Sequence, residues 1–375
     1  MNFYIVTSIA FEDWDYDSSI KKGIGGSETS IVEMSWRLAR RGHKVTVYAP
    51  ITKSTKRDWR GTKWYRFEKA TYKEPGVWII YRVPELIDKF MPRKKNQQLW
   101  FLWQDWYYPN LNKKRQKAVD RHITLCKAHG KKILREYPWI TKEQLWLSSN
   151  GIKVDLLEEI EKEKIKRNPF RIMHASSPDR GLKQAILIFR KAHEYVPDLE
   201  LHPFYGFNNL YKLIKGNPNT KMAQNVQEIK DLIKNTPGVI FHGRVSQPDL
   251  YREWFKSGMY LYITDFFETS NIASQEAQAM GAIPVFSPIY AQKENIQHGI
   301  GIEGSSMDPL TIARAAAEIV RLALDHKLQE KLRSEMMQWA RKRFDWERFT
   351  TQWIMEAEGK RKEFEKQYDF PNQIV

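Results

Sequence analysis

A single cysteine, Cys126, stands in 375 residues, so no disulfide can form within the chain. That usage fits a reducing compartment such as the cytosol. Long hydrophobic runs are also missing. Every apolar stretch is cut by charge well before it could span a bilayer, and the chain reads as one without a transmembrane segment. The opening Met1-Asn2-Phe3-Tyr4-Ile5-Val6 lacks the basic start of a signal peptide and reads as a strand. The nine histidines show no ligand spacing, so no metal site is expected. There is no nucleophile elbow, no Cys–His arrangement, no short repeat and no low-complexity tract. Nothing in the pattern speaks to oligomeric state.

What is present suits a globular protein: 42% hydrophobic, 28% charged and 13% aromatic residues. The length suits two domains of roughly 150–190 residues each. Net charge is +16, and it is unevenly spread. Residues 1–150 hold 29 Lys and Arg against 15 Asp and Glu, whereas residues 151–375 hold 32 against 30. A basic first half points to a polyanionic partner, either nucleic acid or an anionic membrane surface; the plainer reading is a basic soluble protein.

The patterning is that of alternating strands and helices. An apolar, β-branched run at 2–8 reads as a strand, followed by an acidic stretch (Glu12, Asp13, Asp15, Asp17) and the glycine-rich turn Lys22-Gly23-Ile24-Gly25-Gly26-Ser27-Glu28. Helical spacing over 27–41 ends at Gly42, and Val45-Thr46-Val47-Tyr48 is the next strand, completing a βαβ unit. After the turn cluster Ser148-Ser149-Asn150-Gly151 the pattern resumes, with strands expected at 170–174, 199–204, 239–242, 260–263 and 283–286. Helices are expected at 182–193, 249–257 and 270–280. Residues 158–166 are dense in charge and read as a linker or surface helix, and 310–366 read as helical. The fold class expected is α/β, two doubly wound parallel-sheet domains facing a cleft. The domains are 1–150, strongly basic, and 151–345, with a terminal helix over 346–375 returning to the first domain.

The densest chemistry lies between Thr264 and Gly281. Glu268 falls in a loop leaving a strand, Ser270 or Asn271 can cap the helix that follows, and Glu276 lies nearly two turns inside it. The open N-terminus of such a helix suits a diphosphate. One carboxylate can accept from sugar hydroxyls and the deeper one from ribose hydroxyls. Spacing alone would equally describe two glutamates near an amphipathic helix.

Glu268-x7-Glu276 followed by Ala279-Met280-Gly281-Ala282-Ile283-Pro284-Val285 resembles the donor-site signature of retaining GT-B glycosyltransferases, the glycosyl transferases group 1. The resemblance spans nearly the whole chain. Gly25-Gly26-Ser27-Glu28 is similar to the group's first glycine loop, Ser149-Asn150-Gly151-Ile152 to its interdomain joint, and Ser176-Ser177-Pro178-Asp179-Arg180-Gly181-Leu182 to its basic turn. Phe241-His242-Gly243-Arg244-Val245 is similar to the turn over the nucleotide base, and Asp345-Trp346 to the closing segment. The resemblance implies a nucleotide-sugar donor, UDP- or GDP-linked, with no cofactor and no metal. Glu276 would hold the ribose and Glu268 the donor sugar. Thr269, Ser270, Asn271 and Ile272 would lie around phosphate and sugar, Gly25 and Gly26 would approach the phosphate, and Gly206, Arg244 and Val245 would lie near the nucleotide. Arg180 would neutralise the leaving diphosphate. The group's second basic residue, five positions earlier, is here Ala175, so Lys183 or Arg244 would have to assist.

On the acceptor side, Trp103-Gln104-Asp105 stands where related enzymes often read His-Asp. Asp105 could orient the acceptor hydroxyl, or the segment could be a strand end packed on aromatics. Glu28 belongs to the same expectation. Arg57, Arg60 and Lys63 interleave with Trp59 and Trp64, a composition suited to bases and phosphates, to an anionic membrane, or to an ordinary hairpin. The acceptor expected is polyanionic, either a hydroxymethylated base in DNA or an anionic glycolipid or surface polysaccharide, which would place the protein in the cytoplasm, on DNA or at a membrane surface. A nucleotide-sugar epimerase and a nucleic-acid-binding protein with a decayed site are the alternatives. Gly23-x-Gly25-Gly26 does not follow its strand directly, which argues against a dinucleotide fingerprint. Asp13-Trp14-Asp15 reads as a solvated acidic loop.

Overall fold

The computed structural model describes residues 1–10, 12–52 and 55–368, excepting the side chains of 55–58 and 368. The chain divides into two compact units. The first comprises Met1–Ser19, Ile24–Gly151 and the segment from Phe344 onward; the second comprises Ile20–Gly23 and Ile152–Arg343.

The first unit is built on an eight-stranded sheet of β1 (Asn2–Val6), β2 (Lys44–Ala49), β3 (Thr55–Trp59), β4 (Thr62–Arg66), β5 (Gly76–Tyr81), β6 (Gln97–Leu102), β7 (Arg121–Thr124) and β8 (Leu145–Leu147), in the order β3-β4-β2-β1-β5-β6-β7-β8. Seven strands are parallel and β3 is an antiparallel edge. Alternation along each strand divides its side chains between two cores. Ile79 and Tyr81 join Phe3, Ile5, Trp100 and Trp146 on one face. Trp78 and Ile80 join Val6, Phe101 and Trp103 on the other. Both faces are covered, so the strands read as nearly unbroken apolar runs.

The first face is closed by the helix Gly26–Arg40 and by the helix Trp346–Ala357, whose Trp346, Phe349 and Trp353 are buried in that core. Glu347 fastens the returning segment, pairing with Arg37, Arg40 and Arg41 at 3.0, 2.5 and 2.9 Å.

The second unit carries a five-stranded parallel sheet of β9 (Asn168–Ala175), β10 (Glu200–Phe204), β11 (Ser257–Tyr262), β12 (Ile283–Phe286) and β13 (Ile300–Gly301), in the order β10-β9-β11-β12-β13. The strand expected at 239–242 is not regular: it meets β10 only through isolated bridges, Leu201 to Val239 and Phe204 to Gly243. Gly238 and Gly243 both take positive φ, +81° and +70°, which curtails the extended run between them.

Each sheet has one point where the direction of strand addition reverses. In the first it lies between β1 and β5, and in the second between β9 and β11. Such switch points open a crevice at the carboxyl ends of the two strands, where parallel α/β sheets bind ligands.

Candidate functional site

The second unit's switch point is bordered by the residues that follow β9 and β11. After β9 the chain turns through Pro178–Arg180 to Gly181. Gly181 has φ +119°, and a Cβ there would lie 2.7 Å from the Ile263 carbonyl oxygen, so only glycine lets this turn press against the end of β11. Arg180 is thereby aimed across the crevice: its Nη1 lies 3.6 Å from Glu268 Oε1 and its guanidinium 4.1 Å from the Phe266 ring centroid. Its Nε is buried without a hydrogen-bond partner. The Arg180 side chain keeps 39% of its surface exposed and that of Glu268 10%, so the pair opens on the arginine side.

Glu268 also accepts a hydrogen bond from the Tyr262 hydroxyl at 2.6 Å. Burial pushes its carboxyl above the ordinary glutamate range, although Arg180 and the Tyr262 hydroxyl pull the other way. Tyr262 shares a face of β11 with Tyr260, their rings stacked with centroids 5.9 Å apart. Beside them His174 is fully buried; its Nδ1 lies 3.0 Å from the Leu261 carbonyl, and burial holds the imidazole neutral, with its pKa lowered to about 4.

The helix Ile272–Met280 begins four residues beyond Glu268. Its N-cap is Asn271, which accepts from the Ser274 amide at 3.1 Å and donates from Nδ2 to the Tyr260 hydroxyl and to Gln292 Oε1, each at 3.2 Å. Ser270 is buried, and its Oγ has no hydrogen-bond partner. Glu276 sits on the buried face of this helix. Gln247 Nε2 donates to its Oε1 and Trp254 Nε1 to its Oε2, each at 3.2 Å; the Tyr251 hydroxyl also donates to the carboxylate, and Lys153 lies nearby. Burial raises its pKa to about 7. With three donors already on it, the carboxylate retains one further lone-pair position. The helix ends at Gly281, φ +87°.

Of the two cations that could substitute for the basic residue absent at Ala175, Lys183 pairs with Glu228 at 2.5 Å. Arg244 stacks on the Tyr205 ring at 4.6 Å, and Tyr205 is in turn close enough to Arg180 to influence its charge. Tyr205 and Gly206 both take positive φ, +111° and +90°, at the end of β10; Val245 follows Arg244 into the turn before the helix Gln247–Lys256. Among the described residues no group of three or more His, Cys, Asp or Glu could hold a metal ion.

In the first unit the glycine loop meets carboxylates: the Gly25 N–H donates to Glu12 Oε1 at 2.8 Å, and a Cβ at Gly25 would lie 2.5 Å from Glu28 Oε2. Gly26 opens the helix Gly26–Arg40. Trp103 is wholly buried, its Nε1 donating to His122 Nδ1 at 3.3 Å, so it belongs to the core and lines no surface. Gln104 Oε1 accepts from Ser27 Oγ at 2.9 Å, while Asp105 is exposed and accepts the Trp106 amide. Arg60 and Lys63 are exposed at the turn entering β4, the amino edge of the sheet, on the opposite side from Glu28 and Gln104. The Arg57 side chain lies outside the described residues.

No family model and no curated protein matches the sequence. Solved structures do match. A sucrose-phosphate synthase from Thermosynechococcus elongatus superposes with a TM-score of 0.70 at 14% identity over 96% of this chain and 98% of that one. A glycosyltransferase from Rickettsia africae gives 0.72 at 14%, also over 96% and 98%. Anabaena HepE in complex with UDP-glucose gives 0.66 at 14% over 96% and 99%. The chain has the GT-B glycosyltransferase fold. At these identities the likeness carries the architecture, and the chemistry rests on the residues above.

The sequence pattern singled out Glu268, Glu276 and Arg180, but not Tyr262, Gln247, Trp254 or Tyr205, which hold or flank them. The repeat of tyrosines at 260 and 262 on one strand face was the available signal for Tyr262. No signal marks Gln247, which the helix Gln247–Lys256 delivers from elsewhere in the chain.

Proposed function

We propose that the protein is a glycosyltransferase that moves a sugar from a nucleoside-diphosphate sugar to a hydroxyl acceptor with retention of anomeric configuration. The observation that carries this reading is the convergence of Arg180, Glu268 and the capped helix Ile272–Met280 at the second unit's switch point, with Glu276 buried behind it. Glu276 would accept from the ribose hydroxyls. The first-turn amides and the Ser270 hydroxyl would face the diphosphate. Glu268, held by Tyr262, would accept from the donor sugar. Arg180, joined by Arg244, would stabilise charge developing on the leaving diphosphate, the part a metal ion plays in other transferases. The bond from the anomeric carbon to the diphosphate oxygen would break as the acceptor oxygen attacks the same face, its proton passing to the leaving phosphate oxygen. The sugar moved is a hexose or pentose.

Because a solved structure with this fold binds UDP-glucose, that donor heads the test. A thermal-shift panel of UDP-, GDP- and ADP-sugars should raise the melting temperature for one nucleotide class, and Glu276→Ala should abolish that shift. An undiminished shift in the variant would remove the basis of the assignment.

A further inference from the structure

The two helices that enclose Glu276 are joined at their carboxyl ends by one side chain. Arg167 immediately precedes β9. Its Nη2 donates to the Met280 carbonyl at 2.7 Å, and its Nη1 donates to the Trp254 carbonyl at 3.3 Å and to the Ser257 carbonyl. Met280 ends the helix Ile272–Met280, one turn beyond Glu276. Trp254 and Ser257 stand at the end of the helix Gln247–Lys256. That helix supplies all three donors to Glu276, from Gln247, Tyr251 and Trp254.

The last carbonyls of a helix need partners from outside it. Behind Glu276 the Ala277 and Gln278 carbonyls accept from the Ala282 and Gly281 amides. The Ala279 and Gly281 carbonyls accept from Arg341 Nε and Arg333 Nε, each at 2.9 Å. Those two arginines are matched by carboxylates, Arg341 by Glu161 at 2.7 Å and Arg333 by Glu330 at 2.5 Å. Arg167 is different: it forms no ion pair among the described residues, and its hydrogen bonds all go to carbonyls. Burial pulls its pKa down, and the Arg333 guanidinium adds to the shift. A cation withdrawn from water without a carboxylate costs folding free energy, and a neutral donor could cap one carbonyl more cheaply. Two helices, however, need a rigid fork, which only a guanidinium supplies. Gly281 makes room for it, since a Cβ there would lie 2.9 Å from Arg167 Nη2.

We infer that Arg167 is a positioning residue for the nucleotide site: its fork fixes the separation and register of the helices Gln247–Lys256 and Ile272–Met280, and through them the donors that hold Glu276. The role assigned to Glu276 rests on the transferase reading above; the positioning of its donors does not. Displacing one helix lengthens the bonds from Trp254 and Tyr251, and a carboxylate with fewer donors holds its proton to higher pH. Small misplacements of this kind cost far more in binding and catalysis than in folding.

The test uses the full chain, calorimetric titration with UDP, GDP and ADP, and the indole N–H resonances of its tryptophans, with Trp254 assigned through Trp254→Phe. Arg167→Lys keeps the charge but replaces two nitrogens by one. It should weaken the nucleoside diphosphate that binds by about ten-fold, the loss of one charge-assisted hydrogen bond. It should also shift the Trp254 indole proton upfield, as its bond to Glu276 lengthens, and raise the pH at which nucleotide affinity tightens. Arg167→Met should do all three more strongly. General destabilisation moves neither the indole resonance nor the pH midpoint of protein that remains folded. In folded Arg167→Lys, unchanged affinity, an unmoved Trp254 resonance or an unmoved midpoint would each overturn the inference. Loss of the folded state in both variants would also overturn it, making Arg167 a determinant of folding. If the parent protein bound none of the three nucleotides while the Trp254 resonance still answered to Arg167, the positioning role would stand and the transferase reading would fall.

Discussion

At the scale of single residues, Glu276 sets the pH behaviour of the proposed donor site. Its carboxyl is buried and raised from 4.5 to about 7, so the folded protein holds this proton where the unfolded chain has released it. Stability from this group is therefore full below pH 4.5 and falls as pH rises through the window to 7. Glu268 is shifted in the same direction and adds to the slope. Donor affinity should run the other way, because the ionised carboxylate is the better acceptor for ribose hydroxyls. The UDP dissociation constant is expected to tighten as pH rises through 7 and to become nearly flat in Glu276→Gln. The amide cannot accept from both Gln247 and Trp254, so part of the relief from burying a charge is lost. Above pH 7 the variant should gain on the order of 1–2 kcal/mol in folding stability, read by urea unfolding at several pH values. Both glutamates were legible in the sequence because their spacing and flanks form a local pattern. Arg167 was not, because it becomes notable only once two helices far from it in the chain end beside it, a fact of topology.

At the scale of elements, the helix Ile272–Met280 is fixed chiefly by its first residue outside. Asn271 closes the first turn and ties it to Tyr260 on β11 and to Gln292 on the helix Tyr290–Asn295. Asn271→Ala removes all three bonds inside a buried site. It is expected to lower the stability of this unit by about 2 kcal/mol, or roughly 4–8 °C in melting temperature, and to weaken nucleotide binding together with it. The glycine-terminated form of this helix was legible from Gly281, and the strands at 2–6 and 283–286 from short apolar runs between turn signals. The irregular segment at 239–243 has the same apolar look as a strand. It fails because the glycines at its ends take left-handed conformations, which residue type permits but does not announce. The strands over 76–81, 121–124 and 145–147 carry no alternation to mark them, since both faces of the parallel sheet are buried.

At the scale of the whole molecule, the two units differ in how the chain supplies them. The second unit's core, from Ile172 to Met336, comes from one contiguous stretch, and Arg180, Glu268 and Glu276 lie inside it. A fragment spanning 152–343 should therefore unfold cooperatively and bind the same nucleotide as the full chain. The first unit is discontinuous. Trp346, Phe349, Trp353 and Phe364 are all at most 2% exposed within its core, and Glu347 meets the otherwise buried Arg37. Burying such side chains contributes roughly 1.5–3 kcal/mol each, so together they match much of the ~5–15 kcal/mol by which a domain is stable. Residues 1–151 alone should lack a cooperative thermal transition and the near-ultraviolet circular dichroism of ordered tryptophans. Adding a peptide covering 344–375 should restore both. A folded, cooperative 1–151 fragment would show instead that the returning segment is an accessory to this core and no part of its foundation.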